Sequence, residues 1–442
     1  MQKLHFDDDF LWGCATASYQ VEGAIDEDGR VPSIWDTFTA QQGTIMGGDD
    51  GRFAADQYHR YKEDAALIAE LGFDAYRFSI AWPRIITDLE GTINMAGIDY
   101  YIRLCKELRS HGIQSVATLY HWDLPQYLED RGGWDNRETA YAFEYYAKVI
   151  FEHLGAHVDM WITLNEPFCA AYLGYREGIH APGYKDPKKA YNAVHHLNLA
   201  HGLAMKAYRR TGLTAPIGTV LNPSIPRPAT RRAEDQRAAD IARAFDTDIF
   251  LTPLFGQGYP EQALKTFNIT LPIKEGDMAI IATPVDFIGI NYYQEYAVVY
   301  DEETPLHHRP VPVWQRTTNQ GWPIVPYGLN RILSYFKEVT GNIPLYVTEN
   351  GCAGDDELTE GRVHDHFRCE YINEHLAACK RAIDEGVNLK GYFAWSLLDN
   401  FEWSWGYSRR FGIVYVDYDT QKRYPKDSAY MLRDIITGYC EF

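Results

Sequence analysis

Short apolar runs alternate with longer stretches of helical periodicity along the whole chain. Phe10-Leu11-Trp12-Gly13-Cys14-Ala15 is the first run, and a Gly- and Asp-rich loop over 43–51 follows it. Over 56–71 the residues Tyr58, Tyr61, Leu67 and Ile68 give a helical segment an apolar side, and Gly72 ends it. The runs at 75–80, 114–119, 161–164, 217–221, 286–290, 345–348 and 391–395 read as further strands, each bounded by turn residues. Helical patterns over 96–111, 136–154, 189–210, 231–250, 328–339 and 364–384 lie between them. The Pro- and Trp-containing stretch 301–326 reads as a long irregular loop, of a length that usually carries function.

This alternation predicts α/β architecture with a parallel sheet. Eight strand–helix units with no linker or break in composition predict a single domain over 1–442, a (β/α)8 TIM barrel with extended βα loops. A doubly wound open sheet is the alternative, but no Gly-x-Gly-x-x-Gly turn follows the first strand and no Walker loop occurs. The length of 442 residues alone suggests about three domains, yet barrels extend from about 200 to more than 400 residues when their loops carry insertions.

Charge narrows the partners. With 42 Lys and Arg against 61 Asp and Glu the net charge is −19, which argues against nucleic acid or an anionic membrane. No stretch approaches the roughly 20 apolar residues of a spanning helix, and the first nine residues contain no apolar signal-peptide core. The seven cysteines form no Cys-x-x-Cys pair and read as reduced thiols of a cytoplasmic protein rather than metal ligands. Homo-oligomerisation is left open.

The ends of the strands carry the chemistry. His121-Trp122, Asn165-Glu166, Asn222, Asn291 to Tyr293, Glu349 and Trp395 stand at or just past a predicted strand terminus, and Arg77 stands in the run 75–80. A barrel gathers these ends at its C-terminal face, where active sites form. Trp161-Ile-Thr-Leu-Asn165-Glu166-Pro167 and Leu345-Tyr-Val-Thr-Glu349-Asn350-Gly351 each end a strand in a glutamate beside an asparagine. A lone buried glutamate is more often half of a structural ion pair. Two on strand tips shift the reading to glycosidic bond cleavage, which needs one protonated and one ionised carboxyl group. Arg77 is placed to hold Glu349 ionised and low in pKa, and Tyr293 to add a hydrogen bond to it. The aromatic run from Trp395 to Tyr407 offers indole faces for a pyranose, and Glu402 can accept from two sugar hydroxyls.

Phe10-Leu-Trp-Gly-Cys-Ala-Thr-Ala-Ser-Tyr-Gln20-Val-Glu-Gly, Thr163-Leu-Asn-Glu166-Pro and Thr348-Glu349-Asn-Gly resemble the family-one glycoside hydrolases of the β-glucosidase type, in order from about Phe10 to Asp417. The resemblance implies a retaining, two-step exo-hydrolysis of terminal non-reducing β-D-glucosyl residues from β-glucosides and cello-oligosaccharides, as in cellulose degradation. A sugar or alcohol in place of water would give transglycosylation. Glu166 is then the acid/base and Glu349 the nucleophile, with carboxyl groups about 5–5.5 Å apart. Gln20, His121, Trp122, Asn165, Glu402 and Trp403 are expected to contact the glycone, Asn165 at its 2-hydroxyl. Trp395 is the expected platform beneath the ring. Asn291 and Tyr293 are expected to support Glu349 at the substrate site, and Trp322 to flank the aglycone. Neither metal nor organic cofactor is implied.

Relatives acting on 6-phosphoglycosides replace the glutamate matching Glu402 and carry Lys and Tyr seven and nine positions on. Here Glu402, Arg409 and Phe411 occupy those positions, which favours an unphosphorylated glycone. A β-galactosidase or β-fucosidase is a nearer alternative, and a non-catalytic sugar-binding barrel a more distant one. Glu166 is expected to start protonated because of the negative charge of Glu349. Cys14 and Cys169 are read as spectators.

Overall fold

The computed structural model describes residues 5–312 and 315–438. Eight strands form a closed parallel barrel: β1 Leu11–Ala15, β2 Ala75–Ser79, β3 Gln114–Tyr120, β4 Met160–Asn165, β5 Ile217–Leu221, β6 Phe287–Asn291, β7 Leu345–Asn350 and β8 Leu389–Trp395. Neighbours in sequence are neighbours in the sheet, and β8 closes on β1 with Leu11 opposite Gly391 and Ala15 opposite Trp395. Every residue of β2, β4, β5 and β6 is buried. Burial on both faces explains why these strands are continuous apolar runs rather than alternating ones.

Helices α1 Gln57–Glu70, α2 Met95–Ser110, α3 Glu138–Leu154, α4 Pro187–Arg209, α5 Ala233–Arg243, α6 Pro326–Thr340, α7 His366–Asp384 and α8 Asp427–Thr437 accompany the strands. Their starts follow local chemistry. The Asp186 side chain accepts from the Lys188 and Lys189 amides ahead of α4, and Pro187 fits its first turn, where an amide has no partner to lose. Asn94 caps α2 in the same manner.

Two regions depart from the sequence expectation. The helix expected over 231–250 is interrupted by a wider π-helical turn, Ala244–Asp248. Within it, α5 sets Ala238, Ala239 and Ala242 against Val298, flanked by Tyr296 and Tyr300. Its apolar side therefore faces a loop sheet. That sheet lies partly inside the stretch expected to be irregular: His308–Val311 pairs antiparallel with Ala297–Tyr300, which pairs in parallel with Arg227–Pro228. His308-Arg309-Pro310 conceals an edge strand, the one position in a sheet where proline and charge are tolerated. Residues 313 and 314 of that stretch, and residues 1–4 of the N-terminal segment, lie outside the described residues.

The tips of β7 and β8 come unusually close. A Cβ built on Gly351 would lie 1.8 Å from the Trp395 carbonyl oxygen, so only glycine lets the chain leave β7 here. This approach sets Glu349 beside the aromatic run that begins at Trp395. No helix among the described residues is long and apolar enough to cross a membrane.

Candidate active site

The backbone turns sharply at three of the predicted site residues. Glu166, Trp122 and Trp403 have φ of +46°, +78° and +48°. Non-glycine residues in this region cost about 1–3 kcal/mol each and persist where surrounding contacts over-determine them. At Glu166 those contacts are clear. Its amide donates to Val220 O of β5 at 2.9 Å, Pro167 stops the ladder, and a π-helical turn, Cys169–Leu173, follows. Around Trp403, the rings of Trp35 and Trp122 lie 4.5 and 4.6 Å away between centroids.

One polar network joins β2, β4, β6 and β7. Arg77 is fully buried; its Nη1 donates to Glu349 Oε1 at 2.6 Å and its Nη2 to Asn165 Oδ1 at 2.6 Å. Tyr293 Oη donates to Glu349 Oε2 at 2.6 Å. Asn291 Nδ2 donates to Glu166 Oε1 at 2.6 Å and to Asn165 Oδ1 at 3.0 Å, and Thr348 Oγ1 donates to Asn291 Oδ1. The glutamates are thus held differently. Glu349 meets a guanidinium and a phenol, while Glu166 meets a neutral amide and, at Oε2, the Cys169 thiol at 3.0 Å.

Burial is the first cause pushing the Glu166 carboxyl up to about 8, and the charge of Glu349 is the second. The expected cause therefore operates but ranks behind desolvation. Glu349 also lies above the ordinary carboxylate range, because burial outweighs the opposing charge of Arg77 and the Tyr293 hydrogen bond. The expectation of a low pKa at Glu349 is corrected on that point. The donors around the pair still favour Glu349 as its ionised member, with the proton on Glu166. Glu402 is pushed up to about 8 by burial and then by the charges of Glu349 and Glu166.

A second group adjoins the first through His121. Its ring stacks on Trp395 and on Trp403 at 5.8 and 5.9 Å. Asn165 Oδ1 already accepts from Arg77 and Asn291, so Asn165 Nδ2 donates to His121 Nε2, 3.1 Å away. Burial and the charge of Arg77 hold His121 well below its ordinary pKa. The ring is consequently neutral with its proton on Nδ1, a buried donor without a partner among the described residues. Gln20 complements it. Its Nε2 donates to Asn400 Oδ1, Phe401 O and Glu402 Oε2, which leaves Oε1 a buried acceptor without a partner among the described residues. An unpartnered donor and an unpartnered acceptor suit a polyhydroxylated ligand. Trp122 Nε1 donates to Asn165 O, fixing the β4 tip from the β3 side. Trp322, half-buried, packs on Tyr293 and Phe411 at 5.7 and 6.2 Å.

The fold therefore gathers Gln20, Arg77, His121, Trp122, Asn165, Glu166, Asn291, Tyr293, Glu349, Trp395, Glu402 and Trp403 at one end of the barrel, with Trp322 at the margin. Phe411 is 1% exposed and packs with Ala353 and Trp395. The Arg409 guanidinium lies 4.7 Å over the Trp405 ring. Sequence reasoning missed Thr348, whose place before Glu349 was a usable signal. Cys169, read as a spectator, touches Glu166 through its thiol.

Residues 2–439 match the sequence profile of a family described as "Glycosyl hydrolase family 1". The chain is 46% identical over 439 residues to "Beta-glucosidase A" of Thermotoga maritima, covering 99% of this chain and 98% of that one. It is 46% identical over 434 residues to the "1,4-beta-D-glucan glucohydrolase" of Thermotoga neapolitana, covering 98% of each. A solved structure titled "Family 1 b-glucosidase from Thermotoga maritima" superposes with a TM-score of 0.96 at 46% identity, covering 98% of each chain.

Proposed function

The chain belongs to glycosyl hydrolase family 1, and from that membership we propose that it releases terminal β-D-glucosyl residues with retention, using Glu349 as nucleophile and Glu166 as acid/base. The observation that carries the assignment is the asymmetry of the pair. Glu349 is gripped by Arg77 and Tyr293, which fix both its oxygens and favour the anion that attacks the anomeric carbon. Asn291 donates to Glu166 Oε1, so the proton of Glu166 resides on Oε2. That proton passes to the leaving glycosidic oxygen. Once Glu349 is esterified its charge is gone, Glu166 becomes a carboxylate more readily, and it takes a proton from water as the sugar is released.

Asn165 lies within one hydrogen bond of Arg77, Asn291 and His121, which supports a role at the 2-hydroxyl next to the reacting carbon. His121 Nδ1–H and Gln20 Oε1 serve as donor and acceptor to glycone hydroxyls, the Glu402 carboxyl hydrogen-bonds further ones, and Trp395 supports the ring face. The acidic side chain at 402 offers a phosphate no cation, and the Arg409 guanidinium lies over the Trp405 ring, so the glycone is unphosphorylated. The substrates are diffusible β-glucosides and short cello-oligosaccharides, met in the cytoplasm. The six described cysteines are free thiols, as a reducing compartment keeps them.

The test compares nitrophenyl β-glucoside, β-galactoside, β-fucoside and β-glucoside 6-phosphate. The expected result is fastest turnover of the glucoside. Preference for the galactoside or fucoside revises the glycone, preference for the phosphate overturns the role of Glu402, and no turnover of any of them leaves only a sugar-binding barrel.

A further inference from the structure

Cys169 stands three residues after Glu166, at the first position of the π-helical turn Cys169–Leu173. The wider turn brings its thiol back onto the glutamate. Sγ is 3.0 Å from Glu166 Oε2, and Asn222 Nδ2, from just beyond β5, donates to the same Sγ at 3.3 Å. The thiol is fully enclosed, and burial and the charge of Glu166 keep it un-ionised. A thiol has one proton and weak acceptor capacity. With Asn222 occupying the acceptor side, the S–H is directed at Oε2. That is the oxygen left free by Asn291, and hence the one whose proton is given and taken in catalysis.

Resting on the assignment of Glu166 as acid/base, we propose that Cys169 is a positioning residue for it: the thiol, oriented by Asn222, donates to Glu166 Oε2 and does so most strongly while Glu166 is ionised. Hydrogen bonds to charged groups are stronger than those between neutral ones. The contact therefore stabilises the carboxylate of the second step more than the acid of the first. It opposes the burial and like charge that drive Glu166 towards the protonated form. A residue that served only to fill space there would not distinguish the two states.

Cys169→Ala removes the donor and Cys169→Ser keeps one. With Cys169→Ala the basic limb of kcat/KM moves to higher pH. On a dinitrophenyl glucoside, whose leaving group needs little acid assistance, the base-assisted second step controls kcat, and its acidic limb, which reports ionisation of Glu166 in the intermediate, is expected to move to higher pH by about one unit, roughly tenfold in rate on that limb. Cys169→Ser is expected to retain the wild-type limb or move it lower. Identical profiles for wild type and Cys169→Ala overturn the proposal, as do equal shifts in the Ala and Ser variants. If the variants fold poorly, the unmutated enzyme decides. Trapping it with a 2-fluoro glucoside must shift an infrared S–H stretching band in the difference spectrum, and an unmoved spectrum overturns the proposal. Failure of the acid/base assignment is distinguishable, because Glu166→Ala would then leave the alkyl-to-dinitrophenyl rate ratio unchanged.

Discussion

The tips of β4 and β7 both end in a glutamate beside an asparagine, yet their surroundings are opposite in kind. The β7 tip faces Arg77 and the Tyr293 phenol, so the ionised form of Glu349 is solvated by fixed donors on both oxygens. At the β4 tip, Glu166 meets one amide and one thiol, both neutral and the second weak. Burial is nearly equal, with Glu166 5% and Glu349 3% exposed. The difference therefore lies in donor strength and not in access to water. It teaches that one low-dielectric site can hold an anion and a mobile proton side by side when only one carboxyl group is given a cation.

The largest effect comes from removing the anion. Glu349→Gly is expected to lower kcat by on the order of 10⁴-fold or more, as loss of a covalent catalytic group does. Excess azide should then rescue turnover and yield the α-glucosyl azide. Appearance of the β-azide would reverse the roles of the two tips. Removing the mobile proton acts selectively. Glu166→Ala should cost about 10²- to 10⁴-fold with alkyl glucosides, the usual range for general acid catalysis, and much less for the first step with a dinitrophenyl leaving group. Equal losses with both substrates would break the distinction.

The difference between the tips is set by Arg77, so exchanging that residue sharpens the comparison. Arg77→Met leaves Glu349 buried without its cation, a loss of about 3–5 kcal/mol for a broken buried pair. The nucleophile must be ionised, and losing the guanidinium raises its pKa further. The acidic limb of kcat/KM should accordingly move to higher pH while the basic limb, which reports Glu166, moves less. Equal movement of both limbs would mean that Arg77 serves the whole cavity and not one tip. A pH–rate profile on a fast substrate reads this directly.

Much of this contrast was legible in the residues, and the part that was not has a physical reason. Short apolar runs marked all eight strands because strands packed on both faces need such runs. Polar strand ends marked the site because a barrel gathers them at one face. The loop strand His308–Val311 was concealed, since an edge strand needs neither apolar residues nor freedom from proline. The contact of Cys169 with Glu166 was hidden because it depends on a π-helical turn after Pro167, which no periodicity reveals. The left-handed conformation of Glu166 left no glycine or asparagine as a mark. The dominance of burial over the charge of Glu349 is a property of tertiary structure alone.

The smallest effect is thermodynamic and concerns the β4 tip. The folded protein raises the carboxyl of Glu166 to about 8 from an ordinary value of 4.5, first through desolvation. The folded state therefore binds this proton more tightly than the unfolded chain does. Linkage fixes the sign: this contribution to stability is complete below about 4.5 and is lost as pH rises towards about 8. Glutamine at position 166 carries no ionisable group and keeps an amide that can meet Asn291 after reorientation. The melting temperature of Glu166→Gln relative to wild type should consequently rise with pH across that window and level off above it. The same scan on Glu349→Gln should show a smaller gain, or a loss, because that substitution leaves the Arg77 guanidinium buried without its anion. Parallel curves for the two variants would mean that the donors at the β7 tip do not set it apart from the β4 tip.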